Sequence, residues 1–88
     1  MEADLAEVRV VTQTLLARRA AEGSVCPSEV GRALAGAANA PRYRDWRDAM
    51  PAVHAAVDLL VAEGSIRLSW KGKPLPVRGG PYRILRPE

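Results

Sequence analysis

The sequence predicts a single domain, residues 1–88, that is mainly α-helical and carries a small β-hairpin. A chain of 88 residues, 48% of them hydrophobic, suits one globular domain with a small core. In segment 50–70, MPAVHAAVDLLVAEGSIRLSW, the apolar residues change from helical spacing to strand alternation at Gly64. A second alternating segment, 82–85, follows eleven residues rich in Lys, Gly and Pro, which indicates a hairpin.

The first helix is expected to start at Asp4, as its cap, and to run to about residue 21. Its apolar face consists of residues at helical spacing: Leu5, Val8, Val11, Thr12, Leu15 and Leu16. The helix is expected to end just before Gly23, because glycine is favoured immediately after a helix C-terminus. Arg18 and Arg19 are then expected in the last turn, where cations complement the helix dipole.

The second helix is expected to run from Pro27 to about residue 37, with Cys26 or Ser28 near its cap. Its buried stripe is predicted to contain Val30, Ala33, Leu34 and Ala37. Gly31 and Gly36 each weaken a helix by about 1 kcal/mol relative to alanine. Their small size would also permit a close crossing with another helix.

Residues 38–44 are predicted to form a loop, and a short helix is predicted over residues 45–50, starting at Asp45. The third main helix is expected to begin at Pro51, because proline disfavours a helical conformation in the residue before it. It ends at Glu63, and its apolar face comprises Val53, Val57, Leu60 and Val61.

The hairpin strands follow directly. Ile66, Leu68 and Trp70 alternate with polar residues, the pattern of a half-buried strand. Trp46 and Trp70 are expected in the core, although Trp70 could instead stack on a nucleic-acid base. The element order is therefore α-α-α-β-β, with an extra short helix before the third main helix.

This layout resembles the winged-helix superfamily. More narrowly, the chain is similar to a small bacterial family of unknown function, on the blocks CPSEV (26–30), DWR (45–47), MPAV (50–53), EGSI (63–66) and KGKP (71–74). The resemblance covers nearly the whole chain and implies a winged helix, in which segment 71–81, called the wing below, forms the hairpin tip. It implies no activity and no functional residues. Residues 38–50 exceed the usual helix-turn-helix turn of about 3–4 residues, and the short helix fills that gap.

Charge predicts where nucleic acid would bind. Residues 1–40 carry a net charge of −1 and residues 41–88 a net charge of +4. No Arg or Lys occurs between Asp48 and Ile66, so the third helix lacks the side chains that read bases in the major groove. We therefore expect weak or shape-based nucleic-acid binding through phosphate contacts of the flanking cations Arg42, Arg44, Arg47, Lys71, Lys73 and Arg78.

Two other interpretations of these features stay open. The wing cations could simply keep an exposed hairpin soluble and protect its edge from pairing. The Ala-rich face of helix 51–63 could instead bind a protein partner or a second copy of the chain, because small side chains are easily buried.

The remaining chemistry predicts neither an enzyme nor a cofactor. Cys26 and His54 suggest a thiolate–imidazole pair, but no third group orients them, and Cys26 is more simply a cap residue or a redox-sensing thiol. Asp45 and Asp48 suit helix capping, and no metal site or small-molecule ligand is predicted. One cysteine and no apolar N-terminal or membrane-spanning run predict a cytoplasmic protein.

Overall fold

The computed structural model describes residues 2–36 and 43–87, and within them three helices pack against a four-stranded antiparallel sheet. The helices are α1 (Glu2–Ala17), α2 (Pro27–Ala35) and α3 (Trp46–Ala62). The strands are β1 (Ser24–Val25), β2 (Arg67–Trp70), β3 (Lys73–Leu75) and β4 (Arg83–Leu85), in the sheet order β1-β4-β2-β3. The architecture is mixed α and β, with a larger sheet than the predicted two-stranded hairpin.

Helix α1 is shorter at its C-terminus than predicted, and it includes Asp4 instead of being capped by it. The chain leaves the helix after Ala17, where the amides of Arg18 and Arg19 bond three residues back, to Leu15 and Leu16. The Arg86 guanidinium then donates to the carbonyls of Leu16 and Arg19, at 2.8 and 2.9 Å. These tertiary bonds satisfy carbonyls that further helical turns would otherwise occupy.

Helix α2 begins at Pro27 as predicted, and Val30 and Leu34 of its predicted stripe are buried. Gly31 is buried beside Val30 and Leu34, whereas Ala33 is exposed, so the predicted place of Ala33 in the core is wrong. A Cβ on Gly31 would lie 2.8 Å from Met50 Sδ, so the predicted close helix crossing is confirmed. The helix ends at Ala35 with Gly36 as its C-cap, and residue 37 lies outside the described residues.

Helix α3 is continuous through Pro51, so the predicted separate short helix and the start at Pro51 are both wrong. Asp45 does start the helix, because its side chain accepts from the amides of Arg47 and Asp48. Pro51 follows soon after this first turn, and its ring points to solvent while Ala49 and Val53 are buried on either side. Packing of this face outweighs one lost backbone hydrogen bond.

The C-terminus of α3 leads straight into the sheet. Gly64 has a φ of 79°, and the amides of Gly64 and Ser65 bond to the carbonyls of Val61 and Leu60. This is a Schellman motif, for which glycine is favoured because its positive φ meets no Cβ. The predicted helix end at Glu63 and Gly64 is confirmed.

The wing contains a tight turn and a strand that sequence patterning missed. Lys71 and Gly72 link β2 to β3 with φ values of 52° and 80°, the two positive φ angles that a type I′ turn requires. Strand β3 includes Pro74, which is tolerated because β3 is an edge strand. Strand β4 then pairs with β2 and with β1, confirming the predicted return strand to within one residue.

The core lies between the three helices and one face of the sheet. Its sheet residues include Val25, Leu68 and Ile84, which sit opposite one another in neighbouring strands and are buried. The predicted core position of Trp70 is wrong, since its side chain is 38% exposed; it pairs with Lys73 at the end of the hairpin. Tyr82, at 3% exposure, is the aromatic residue of this core.

Candidate nucleic-acid interface

The tip of the wing presents two unpaired cations. Lys71 and Lys73 are exposed, and neither has an ion-pair partner among the described residues. Trp70 pairs with Lys73 across the β2–β3 hairpin, so an exposed indole and an ammonium group share one face of the wing. The type I′ turn holds these groups on a short, rigid projection.

Arg78, the third predicted wing cation, is bound to α3. Its Nε and Nη2 atoms donate to the two carboxylate oxygens of Asp58, at 2.9 and 3.0 Å. This bidentate pair lowers the pKa of Asp58 below its ordinary value and raises the pKa of Arg78. Arg78 therefore links the wing to the third helix, and its charge is largely balanced.

A second cationic region lies at the start of α3. The amide of Arg44 donates to Asp48 at 3.2 Å, which places Arg44 beside the first turn of the helix. The guanidinium carbon of Arg47 lies 4.7 Å from the centre of the Trp46 ring. The guanidinium carbon of Arg32, from α2, lies at the same distance from that ring. Arg42, the remaining predicted contact, lies outside the described residues.

Between these two regions, the exposed face of α3 carries mostly small, uncharged side chains. Pro51, Ala55, Leu59 and Ala62 are exposed along it, and the Leu59 side chain is 53% exposed. The cation-free stretch from Asp48 to Ile66 therefore presents one of its faces to solvent and buries the other. Asp58, the carboxylate in the middle of this stretch, is occupied by Arg78.

Tyr82, the residue that follows the wing, is joined to α3 by a part-buried hydrogen bond. Tyr82 Oη lies 2.7 Å from His54 Nδ1, and the two rings meet edge to face with centroids 5.7 Å apart. Burial raises the pKa of Tyr82, and burial, followed by the charge of Arg78, lowers the pKa of His54. Both groups are therefore uncharged at neutral pH, and together with the Arg78–Asp58 pair this bond fixes the end of the wing against the helix.

Cys26 acts as a helix cap. Its Sγ lies 3.1 Å from Ser28 Oγ, and its amide donates to the carboxylate of Glu29 at 2.8 Å. His54 is bonded to Tyr82 instead, so the structure gives Cys26 and His54 different partners. The carboxylate of Glu29 also pairs with Arg19, and the Cys26 amide bond lowers the pKa of Glu29. The CPSE segment therefore forms a capping box at the start of α2.

The described residues hold no group of three or more His, Cys, Asp or Glu side chains placed to bind a metal ion. No helix in residues 2–36 or 43–87 is long and apolar enough to cross a membrane.

Over residues 6–87 the sequence matches the family described as protein of unknown function (DUF3253). The chain belongs to the DUF3253 family. No curated protein matches it. The match confirms the similarity to a small family of unknown function, and the family description supplies no activity.

In this DUF3253 protein, tertiary structure pairs residues that the sequence leaves far apart. Arg32 joins Arg47 on the Trp46 ring although fourteen positions separate Arg32 from Trp46. Asp58 and Arg78 are twenty positions apart. Arg32 was missed as a candidate contact because it precedes the loop, and only the tight α2–α3 crossing brings it to α3.

Proposed function

We propose that this chain is a winged helix that binds nucleic acid weakly, by contacts to the phosphate backbone. The order α1-β1-α2-α3-β2-β3-β4 supports the fold, because a three-helix unit continues through the turn at Gly64 into a projecting hairpin. The unpaired cations Lys71 and Lys73, held beside the exposed Trp70, carry the functional part of the proposal.

The contacts of these groups are independent of base sequence. Ammonium groups neutralise phosphates, and an exposed indole stacks on any base. The bare face of α3 supports the same conclusion, since a major-groove reader needs Arg, Lys, Asn or Gln there and this face carries none. The role is binding and not catalysis, and the single free cysteine suits a reducing cytoplasm.

The test is the salt dependence of binding to random-sequence duplex DNA. Each phosphate contact contributes about −0.9 to the slope of log K against log salt, so Lys71→Asn/Lys73→Gln should flatten that slope by about 1.8. Asparagine is chosen at position 71 because it tolerates the positive φ of the turn. Arg18→Gln is the matched control for Lys73→Gln, since Arg18 is an exposed cation that follows α1. Undetectable binding at low salt, or equal effects of Lys73→Gln and Arg18→Gln, would reject the proposal.

The exposed face of α3 supports a second candidate, contact with a protein partner or a second copy of the chain. Leu59 is half exposed near Pro51, Ala55 and Ala62, and the neighbouring carboxylates Asp58 and Glu63 are each paired with an arginine. Light scattering tests self-association. If the chain dimerises through this face, Leu59→Gln should restore the monomer, whereas Val10→Gln on α1, where the side chain is 61% exposed, should not. A monomeric wild-type protein at high concentration would exclude self-association.

A further inference from the structure

We propose that Arg32, Trp46 and Arg47 form a phosphate-binding site that is separate from the wing. The site lies where α2 crosses the first turn of α3, and two different helices each bring one guanidinium group to the same indole ring. This site rests on the proposed function only in one respect, which is that nucleic acid is named as the source of the phosphate.

The two arginines are not neutralised by carboxylates. Asp45 accepts from the amides of Arg47 and Asp48, and Asp48 accepts from the amide of Arg44. Within the described part of the chain neither Arg32 nor Arg47 has an ion-pair partner. Two like charges held on one ring without a counter-ion form a natural site for an anion.

Stacking leaves the hydrogen-bonding capacity of both arginines available. A cation–π contact engages the charge of a guanidinium and not its N–H donors. Arg32 also makes one long contact, 3.5 Å, from Nη1 to Ser28 Oγ. Among the described residues the other side-chain donors of Arg32 and Arg47 have no hydrogen-bond partner, so they are available to the oxygens of a phosphate.

The stack also orders the side chains before the ligand arrives. Each arginine normally loses rotamer freedom when it binds, and the indole already restricts both. Trp46 is half-buried at the first position of α3, so the ring is fixed by the helix that carries it. The geometry therefore favours phosphate binding here over binding by an isolated surface arginine such as Arg18.

The first arm of the test uses inorganic phosphate. In a Trp70→Phe background Trp46 is the single tryptophan, and its fluorescence should change saturably with phosphate but not with chloride at equal ionic strength. Arg32→Gln or Arg47→Gln should abolish the saturable change, Arg47→Lys should weaken it, and Arg18→Gln should leave it intact. Thermal melts followed by circular dichroism check that each variant is folded. A signal unchanged in both Gln variants would overturn the site.

The second arm uses random-sequence duplex DNA and the chain with Trp70 present. Arg32→Gln/Arg47→Gln should flatten the slope of log K against log salt by about 1.8, in addition to the effect of the wing variants. Wing-dependent DNA binding with an unchanged slope in this double variant would overturn the site and leave the proposed function standing. Saturable phosphate binding without any DNA binding would support the site and reject the proposed function.

Discussion

The hydrogen bond between Tyr82 and His54 allows a sharp test of how the wing is attached to α3. Tyr82→Phe keeps the buried ring and removes the hydroxyl that lies 2.7 Å from His54 Nδ1. The apolar packing is nearly unchanged, so the variant isolates one hydrogen bond. Such a bond contributes about 1 kcal/mol net, and the half-buried imidazole can recover part of this loss by binding water.

We therefore expect Tyr82→Phe to lower the free energy of unfolding by about 1 kcal/mol, which corresponds to roughly 4–8 °C in Tm for a domain of this size. The assay is urea denaturation at pH 7.5 of the wild type, Tyr82→Phe, His54→Ala and the double variant. In the His54→Ala background the hydroxyl has no imidazole partner, so removing it should cost close to nothing. The coupling energy of the cycle should be about 1 kcal/mol.

Equal costs of Tyr82→Phe in the two backgrounds would refute this reasoning. They would show that the hydroxyl is satisfied by water or by another group, and that Tyr82 contributes to the attachment of the wing through its ring and not through its hydroxyl. An unchanged m-value across the four proteins is the control that the denatured state is the same in each.

Three further predictions concern pH, packing and charge. Burial lowers the pKa of His54 below 6.5, so as pH falls the imidazole is protonated in the unfolded chain before it is protonated in the folded one. The stability from this site should therefore be complete above pH 6.5 and fall as pH drops below it. If the difference in free energy of unfolding between the wild type and His54→Gln does not vary with pH, the prediction is contradicted. Gly31→Ala should lower the stability of the folded protein by about 1 kcal/mol, as measured by thermal melts. Overpacking against Met50 costs about 1–3 kcal/mol, and the higher helix propensity of alanine offsets about 1 kcal/mol of this. Asp58→Asn should release Arg78 and steepen the salt slope of DNA binding by about 0.9, whereas Asp48→Asn should not.

These tests address a feature that links fold and function. The wing is joined to α3 by the Arg78–Asp58 pair at the surface and by the Tyr82–His54 bond beneath it. Arg78, one of the cations predicted to contact nucleic acid, therefore has a structural partner. Among the described residues, Lys71 and Lys73 at the hairpin tip and Arg32 and Arg47 around Trp46 are cations without an ion-pair partner.

Several elements could be predicted from local signals. The change from helical to alternating spacing at Gly64 located the end of α3 and the start of the hairpin, because the Schellman turn depends on a residue that accepts positive φ. Pro27 and Asp45 marked the starts of two helices for equally local reasons, a missing N–H and a capping carboxylate. The cation-free stretch that would face solvent on α3 was also evident from spacing alone.

Other features depended on contacts between distant residues. Pro51 was expected to end a helix, but burial of Ala49 and Val53 on the opposite face keeps α3 continuous. Trp70 was expected in the core, but it lies at the end of β2 opposite Lys73 of the edge strand β3, and it is exposed. Strands β1 and β3 are too short, at two and three residues, to show a period in the sequence.

The sequence by itself determined the first two helices, the position of the turn into the hairpin, and the absence of Arg, Lys, Asn and Gln from α3 beyond Asp48. These follow from backbone preferences and residue spacing within a few positions. Only the tertiary structure decided which cations are available, because pairing depends on side chains that meet across the fold. It placed Arg78 on Asp58, brought Arg32 to Trp46 through the crossing at Gly31, and left Lys71 and Lys73 exposed at the tip of a two-residue turn.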